Sequence, residues 1–253
     1  MEFPTPLLSG RLVRRYRRFL ADVVLEDGAE TTVHCPNTGA MAGCDRPGSR
    51  VWLSRSDNPR RKYPLTWEIV EASPGTLVGI HSSRANALVG EALAAGALTG
   101  WPAPTELRRE VTLTAGDPET GNSGAGSSGI RMRVDLVAQF PGEDGPCVIE
   151  VKSVTAADGP GRGFFPDAVS ARAVRHLDTL AALSREGRRC VLVYCVQRGD
   201  VDRLRAAAEI DPAYAAALVR ARADGVEFRA WRWDVSPAAI RLAGPVALDP
   251  VVV

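Results

Sequence analysis

The chain has 253 residues, 45% of them hydrophobic and 24% charged, with a formal net charge of +1. That balance excludes a disordered or fibrous protein and is enough to build two domains with their own cores. No run approaches the roughly 20 apolar residues that span a bilayer, and the start carries no basic-then-apolar leader, so no membrane partner is expected and the expected location is cytoplasmic.

Charge is uneven along the chain. Residues 1–62 hold eleven Lys/Arg against seven Asp/Glu, or +4, which leaves −3 for the remainder. The basic clusters are Arg11, Arg14, Arg15, Arg17 and Arg18, and later Arg55, Arg60, Arg61 and Lys62. Such groups neutralise phosphates; equally, they make a solvated surface with arginine stems lying over apolar neighbours. The five cysteines are an odd number without an export signal, which predicts reduced thiols. His34, Cys35 and Cys44 lack a CxxC pair and a fourth ligand, so a zinc site is weakly supported.

From residue 11 to 72, short β-rich runs alternate with turn residues, about five strands in all, as in an oligonucleotide-binding barrel. Tyr16, Phe19, Trp52, Tyr63 and Trp67 are interleaved with the basic residues. They either stack on bases or fill the barrel, and Trp52 and Trp67 are expected in the core. The stretch Pro36-Asn-Thr-Gly is a turn-rich loop whose amides, together with Asn37, are placed to meet a phosphate.

From Ala87 a helical pattern carries Glu91, followed by strand-like Leu107-Arg-Arg-Glu-Val-Thr-Leu and a Gly/Ser-rich stretch at Gly116–Gly129 that reads as a flexible loop. Arg131–Ala138 and Cys147–Val154 form a predicted hairpin. The two-residue period of the second strand puts Glu150 and Lys152 on one face and Ile149 and Val151 on the other. A carboxylate and an ammonium in an apolar strand must be paired or solvated, which makes an edge-strand ion pair the simple reading. The functional reading adds Asp135 from the neighbouring strand. Asp135, Glu150 and the Val151 carbonyl then hold Mg²⁺ or Mn²⁺, Lys152 serves the attacking water and the phosphate, and Glu91, with Glu110 as second choice, completes the acidic set.

Phe164-Phe-Pro-Asp-Ala is expected to open a helix running to about Arg185, with Val169, Ala173, Leu177, Leu180 and Ala181 as its buried stripe and with Arg172 and His176 one turn apart on another face, where they could meet a phosphate, His176 reading equally as a surface or packing residue. Cys190-Val-Leu-Val-Tyr-Cys-Val reads as a strand buried on both faces. Around Ile210-Asp-Pro-Ala the region Val201–Gly225 superficially suggests a helix-turn-helix, although Asp-Pro more simply starts a new helix. No nucleotide or sugar-phosphate signature supports an enzyme of sugar metabolism.

Several stretches together resemble the bacterial and archaeal sugar fermentation stimulation protein A family over nearly the whole chain. They are Gly10-Arg-Leu-Val-Arg-Arg-Tyr-Arg-Arg-Phe, His34-Cys-Pro-Asn-Thr-Gly, Ser56-Asp-Asn-Pro-Arg-Arg-Lys-Tyr-Pro, Glu150-Val-Lys-Ser-Val-Thr, Phe165-Pro-Asp-Ala-Val and Asp211-Pro-Ala-Tyr. The resemblance implies an α/β (α+β) protein, with an OB-fold-like β-barrel over residues 1–82 followed by a restriction-endonuclease-like PD-(D/E)xK α/β domain over residues 83–253. It also implies DNA binding without strong sequence preference and a role in regulating sugar (maltose) metabolism. It leaves open whether DNA is cut and whether the protein is a dimer. Two departures stand out: Met132-Arg-Val-Asp135 lacks the family's usual serine, and Ser170-Ala-Arg-Ala keeps the usual arginine but loses a glutamate.

Overall fold

The structure is a computed structural model and describes residues 1–114 and 131–250. The Gly116–Gly129 stretch lies outside them.

The first strands, β1 (Leu8–Tyr16), β2 (Leu20–Leu25), β3 (Glu30–His34), β4 (Arg50–Arg55) and β5 (Leu65–Ser73), close into a five-stranded barrel that β6 (Thr76–Gly79) extends. Closure comes from a parallel contact between β3 and β5 at His34 and Thr66, beside the antiparallel ladders β3-β2-β1-β4-β5. Inward positions are apolar: Leu12, Val23, Val33, Leu53 and Trp67 are buried together, whereas Trp52, expected in the same core, is buried on the alternate face of β4 between inward Val51 and Leu53. The barrel therefore spends the Trp67 indole on its own core, and the strongly exposed aromatic among the described residues is Phe19, 51% exposed in the turn between β1 and β2.

Helix α1 (Arg84–Ala94) starts three residues before the periodicity predicts. It packs on one face of a six-stranded sheet of order β15-β14-β12-β9-β8-β7, made of β7 (Glu106–Thr114), β8 (Arg131–Gln139), β9 (Cys147–Val154), β12 (Cys190–Val196), β14 (Glu227–Val235) and β15 (Ile240–Pro245). The other face is covered by α2 (Ala171–Arg185) and α3 (Pro212–Ala223). A smaller sheet holds β10 (Ala157–Gly159), β11 (Gly161–Phe165), β13 (Val201–Ala206) and β16 (Ala247–Leu248). β12 is the buried central strand the sequence predicts, with all seven residues inside, because it lies parallel between β9 and β14 under helices on both sides.

Two expectations about helices change. Phe164 and Phe165 end β11, so α2 starts only at Ala171; Val169 lies ahead of the first turn and is 76% exposed, while Ala173, Leu177, Leu180 and Ala181 form the buried stripe. The suspected helix-turn-helix is one strand, β13, followed by one helix, α3, whose N-cap is Asp211. The buried Asp211 carboxylate accepts from Tyr214 N at 3.0 Å and from Ser170 N at 2.9 Å, so a single side chain sets the starts of α3 and α2 together.

All five cysteines are buried free thiols, and among the described residues no group of three or more His, Cys, Asp or Glu side chains gathers as a metal cluster. Cys35 and Cys44 serve the barrel core, so the weak zinc reading has no cluster behind it. Among the described residues no helix is long and apolar enough to cross a membrane.

Candidate active site in a cleft between barrel and sheet

β8 and β9 form the predicted hairpin, but their ladder covers only Leu136↔Ile149, Val137↔Val148 and Ala138↔Cys147. Beyond Leu136 the strands part. In β7, Glu110 takes a left-handed φ of 54° and interrupts its pairing opposite Asp135. The consequence shows in the packing: Leu107, Leu136 and Ala138 lie with α1, whereas Val111, Leu113, Met132 and Val134 lie with α2 and α3. The strand pair turns over at Asp135, and the opening this leaves is filled by polar groups.

Glu150 and Lys152 share the α2 face, as the period of two requires. Lys152 Nζ donates to Glu150 Oε1 at 2.7 Å, and His176 of α2 donates from Nδ1 to the same oxygen. Arg172 Nε donates to His176 Nε2 at 3.3 Å, which assigns the imidazole proton to Nδ1. Glu150 is 2% exposed, and its second oxygen, Oε2, is buried without a hydrogen-bond partner. Burial favours the neutral acid, but the hydrogen bond from His176 and the charge of Lys152 outweigh it and hold Glu150 below the usual carboxylate range.

Asp135 is half-buried on the β8 side. Its Oδ2 accepts from Val151 N and its Oδ1 from Asn86 Nδ2, both at 2.7 Å. Burial first, and then the charge of Glu150, push its pKa up to about 6. Two carboxylates thus face one opening with their repulsion only partly answered, and one of their oxygens has no partner at all. Carboxylate oxygens of this kind suit a hard divalent cation, so the chemistry of Asp135 and Glu150 is compatible with one. N–H and C=O of an extended residue point to the same side, so the Val151 carbonyl faces the opening too.

Asp135 carries a pH prediction. Its folded pKa of about 6 lies above the ordinary 3.8, so folding gains stability as pH falls from 6 towards 4 and loses it as pH rises through 6. In EDTA, Asp135→Asn is expected to stabilise the protein by about 1–2 kcal/mol near pH 7 and by almost nothing near pH 4, as read by urea unfolding at the two pH values.

Glu91 does not join this set. It lies five residues beyond Asn86 on α1, about 140° further round the helix, and its half-exposed side chain pairs with the Met1 ammonium at 3.3 Å. The α1 residue that reaches Asp135 is Asn86, which also comes within 3.5 Å of Glu110. Only the rotation of α1 against the sheet reveals it.

The cleft has a volume of about 410 Å³, with Asp135, Glu150, Lys152 and His176 at its floor and Arg18, Asn37 and Thr38 of the barrel as its roof. The roof loop is braced from both sides. Arg15 Nη2 donates to the carbonyls of Asn37 at 2.9 Å and Gly39 at 2.8 Å, and Asp167 accepts from Met41 N at 2.9 Å. Gly39 has no room for a side chain, since a Cβ there would lie 2.6 Å from the Asp167 carboxylate. Arg15 and Asn37 are therefore structural: Asn37 is spent on Ile80 O and Gly39 N, and the Arg15 side chain is 9% exposed.

The other predicted contacts divide. Arg18 lines the cleft with exposed Arg17 beside it, and Arg172 stands exposed at the start of α2. Arg14 pairs with Asp22 at 2.9 Å, and Arg55, Arg60, Arg61 and Lys62 are exposed around the β4–β5 connection, away from the cleft lining. Of these, Arg61 reaches His34 Nδ1 at 3.2 Å. His176 contacts Glu150 and is not free to meet a phosphate as the sequence suggests.

Comparison with known proteins matches residues 13–80 to the SfsA N-terminal OB domain and residues 83–239 to the Sugar fermentation stimulation protein RE domain. A sugar fermentation stimulation protein homolog of Alkalilimnicola ehrlichii is 52% identical over 243 residues, covering 96% of each chain; one of Halorhodospira halophila is 51% identical and covers 95% of each. The solved structure of Pyrococcus furiosus SfsA in complex with Ca²⁺ matches with a TM-score of 0.80 over 98% of both chains at 22% identity, a likeness of fold.

Proposed function

The chain belongs to the sugar fermentation stimulation protein family, and from that premise we propose that it binds DNA and hydrolyses a phosphodiester held in the cleft with Mg²⁺ or Mn²⁺. The observation that carries this reading is the buried, unpartnered Glu150 Oε2 opposite an Asp135 whose charge is opposed. Asp135, Glu150 and the Val151 carbonyl would hold the ion. When bound, such an ion polarises the phosphate and lowers the pKa of a water. The Pyrococcus furiosus relative is described in complex with Ca²⁺, an ion with the same preference for oxygen ligands.

The chain's own groups supply the rest. Lys152, anchored on Glu150, presents its ammonium at the cleft floor, where it stabilises charge building on the phosphate. His176 fixes Glu150, and Arg172 fixes the tautomer of His176. Arg18 from the barrel and Arg172 from α2 neutralise phosphates on the two flanks, contacts that carry no base information, so little sequence preference follows.

The test is incubation of plasmid and oligonucleotide DNA with Mg²⁺ or Mn²⁺. Cleavage is expected, with full arrest by EDTA. No cutting of any substrate with either ion would overturn hydrolysis.

A second reading, a DNA-binding regulator of sugar (maltose) metabolism without turnover, is favoured by one feature: Glu150 Oε1 is already engaged by Lys152 and His176. Undiminished DNA binding with no cleavage under those conditions is its signature.

A further inference from the structure

Val169, which lines the cleft, and Phe19, the chain neighbour of cleft-lining Arg18, are both exposed apolar side chains near an arginine. On the barrel side, Arg17 and Arg18 hold left-handed φ values of 48° and 60°, a conformation that side-chain-bearing residues rarely adopt. The turn is locked in that form: Arg15 Nη2 donates to Arg18 O at 3.2 Å, and Cys35 N donates to Phe19 O at 2.7 Å. The same Arg15 and the same Cys35 segment carry the roof loop, so the turn and the roof loop share their hydrogen bonds. The turn leaves Phe19 half exposed at the residue next to cleft-lining Arg18. On the opposite rim Val169, which also lines the cleft, stands 76% exposed just before the N-cap of α2, with Arg172 three residues on.

Depth and size add a second constraint. Glu150 at the floor is 2% exposed, beneath a cleft of about 410 Å³ that the barrel lines on one side and the sheet and α2 on the other. Its roof is bonded across to the sheet domain through Asp167 and Met41, through Cys44 Sγ to Thr155 O, and through Gly79 N to Gln197 O at 2.9 Å. A phosphate reaches the floor as part of one strand.

We propose that Phe19, presented by the Arg17–Arg18 turn, is a base-stacking platform at the cleft mouth, and that the substrate class is DNA with an unpaired strand. The proposal rests on the DNA reading above. Every base has a π-face, so stacking on Phe19 with Arg18 on the adjacent phosphate holds a strand without reading its sequence. A base inside a duplex is already stacked on its neighbours and offers no free face.

The test is fluorescence anisotropy in EDTA with a short labelled oligonucleotide, single-stranded or annealed to its complement, on wild type, Phe19→Ala and Phe19→Trp. Single-strand binding is expected to be tighter than duplex binding, to weaken about 10-fold in Phe19→Ala, and to be kept in Phe19→Trp, with duplex binding unchanged throughout. A fluorescent adenine analogue in the strand is expected to be quenched on binding wild type and not Phe19→Ala. Equal affinity for both DNAs, or single-strand affinity indifferent to Phe19→Ala, overturns the platform while the DNA reading stands. Failure of both DNAs to bind overturns the DNA reading and the platform with it.

Discussion

Glu150→Gln is expected to lower metal-dependent DNA cleavage by about 10²–10³-fold while leaving DNA affinity unchanged or slightly higher. The side chain does two things at once. Its Oε1 anchors Lys152 and His176, and its Oε2 is buried without a hydrogen-bond partner among the described residues. Glutamine keeps the shape but removes the charge that would hold the proposed ion, and it places an amide donor either against Lys152 or where that ion would sit. DNA affinity behaves differently, because removing one negative charge near the phosphates cannot weaken their attraction to Arg18 and Arg172. Single-turnover cleavage with Mg²⁺ and anisotropy in EDTA separate the two effects. A variant that keeps a tenth or more of the wild-type rate would show that Glu150 is only a partner for Lys152 and His176.

Arg84→Met is expected to destabilise the protein by about 3–5 kcal/mol, the largest effect on folding foreseen for any one residue here. Glu68 in β5 is 1% exposed, and its two oxygens take Arg84 Nε at 2.5 Å, Arg84 Nη2 at 2.6 Å and Ser54 Oγ at 2.6 Å. Removing the guanidinium leaves a carboxylate buried at the junction of the barrel with α1, its one remaining side-chain hydrogen bond coming from the Ser54 hydroxyl. Because the cost is the stranded charge and not the lost pair, Glu68→Gln with Arg84→Met is expected to recover a good part of it, which a urea-unfolding double-mutant cycle measures. A single-variant loss below about 1 kcal/mol would mean that water reaches Glu68. The pair also links the domains, since Arg84 is the first residue of α1 and Asn86, two residues later, holds Asp135. Arg84→Met is therefore expected to slow cleavage as well, through a displaced Asn86.

What the sequence by itself determined follows from local geometry. Alternation along Cys147–Val154 put Glu150 and Lys152 on one side and Ile149 and Val151 on the other, and the apolar run Cys190–Val196 could only be a strand covered on both faces. The order of elements then brought Asp135 next to them, and the clustered motifs pointed to the family and, through it, to both folds. Those inferences needed only the covalent period of a strand and the tendency of adjacent strands to pair.

What only the tertiary structure decided is which side chains meet across elements. The helix α1 offers Glu91 and Asn86 as equals in the sequence, and its rotation on the sheet chose Asn86. His176 and Arg172 read alike as phosphate ligands, but α2 packs so that His176 grips Glu150 while Arg172, bonded to His176 through Nε, keeps an exposed guanidinium. Arg15 looked no different from Arg18, yet the barrel sinks the first into the roof loop and leaves the second in the cleft. The cleft itself exists because two folding units dock through the Met41–Asp167 and Gly79–Gln197 hydrogen bonds and the Glu68–Arg84 pair. The period of a strand tells which face a residue takes; what stands opposite that face depends on long-range packing, which no local pattern encodes.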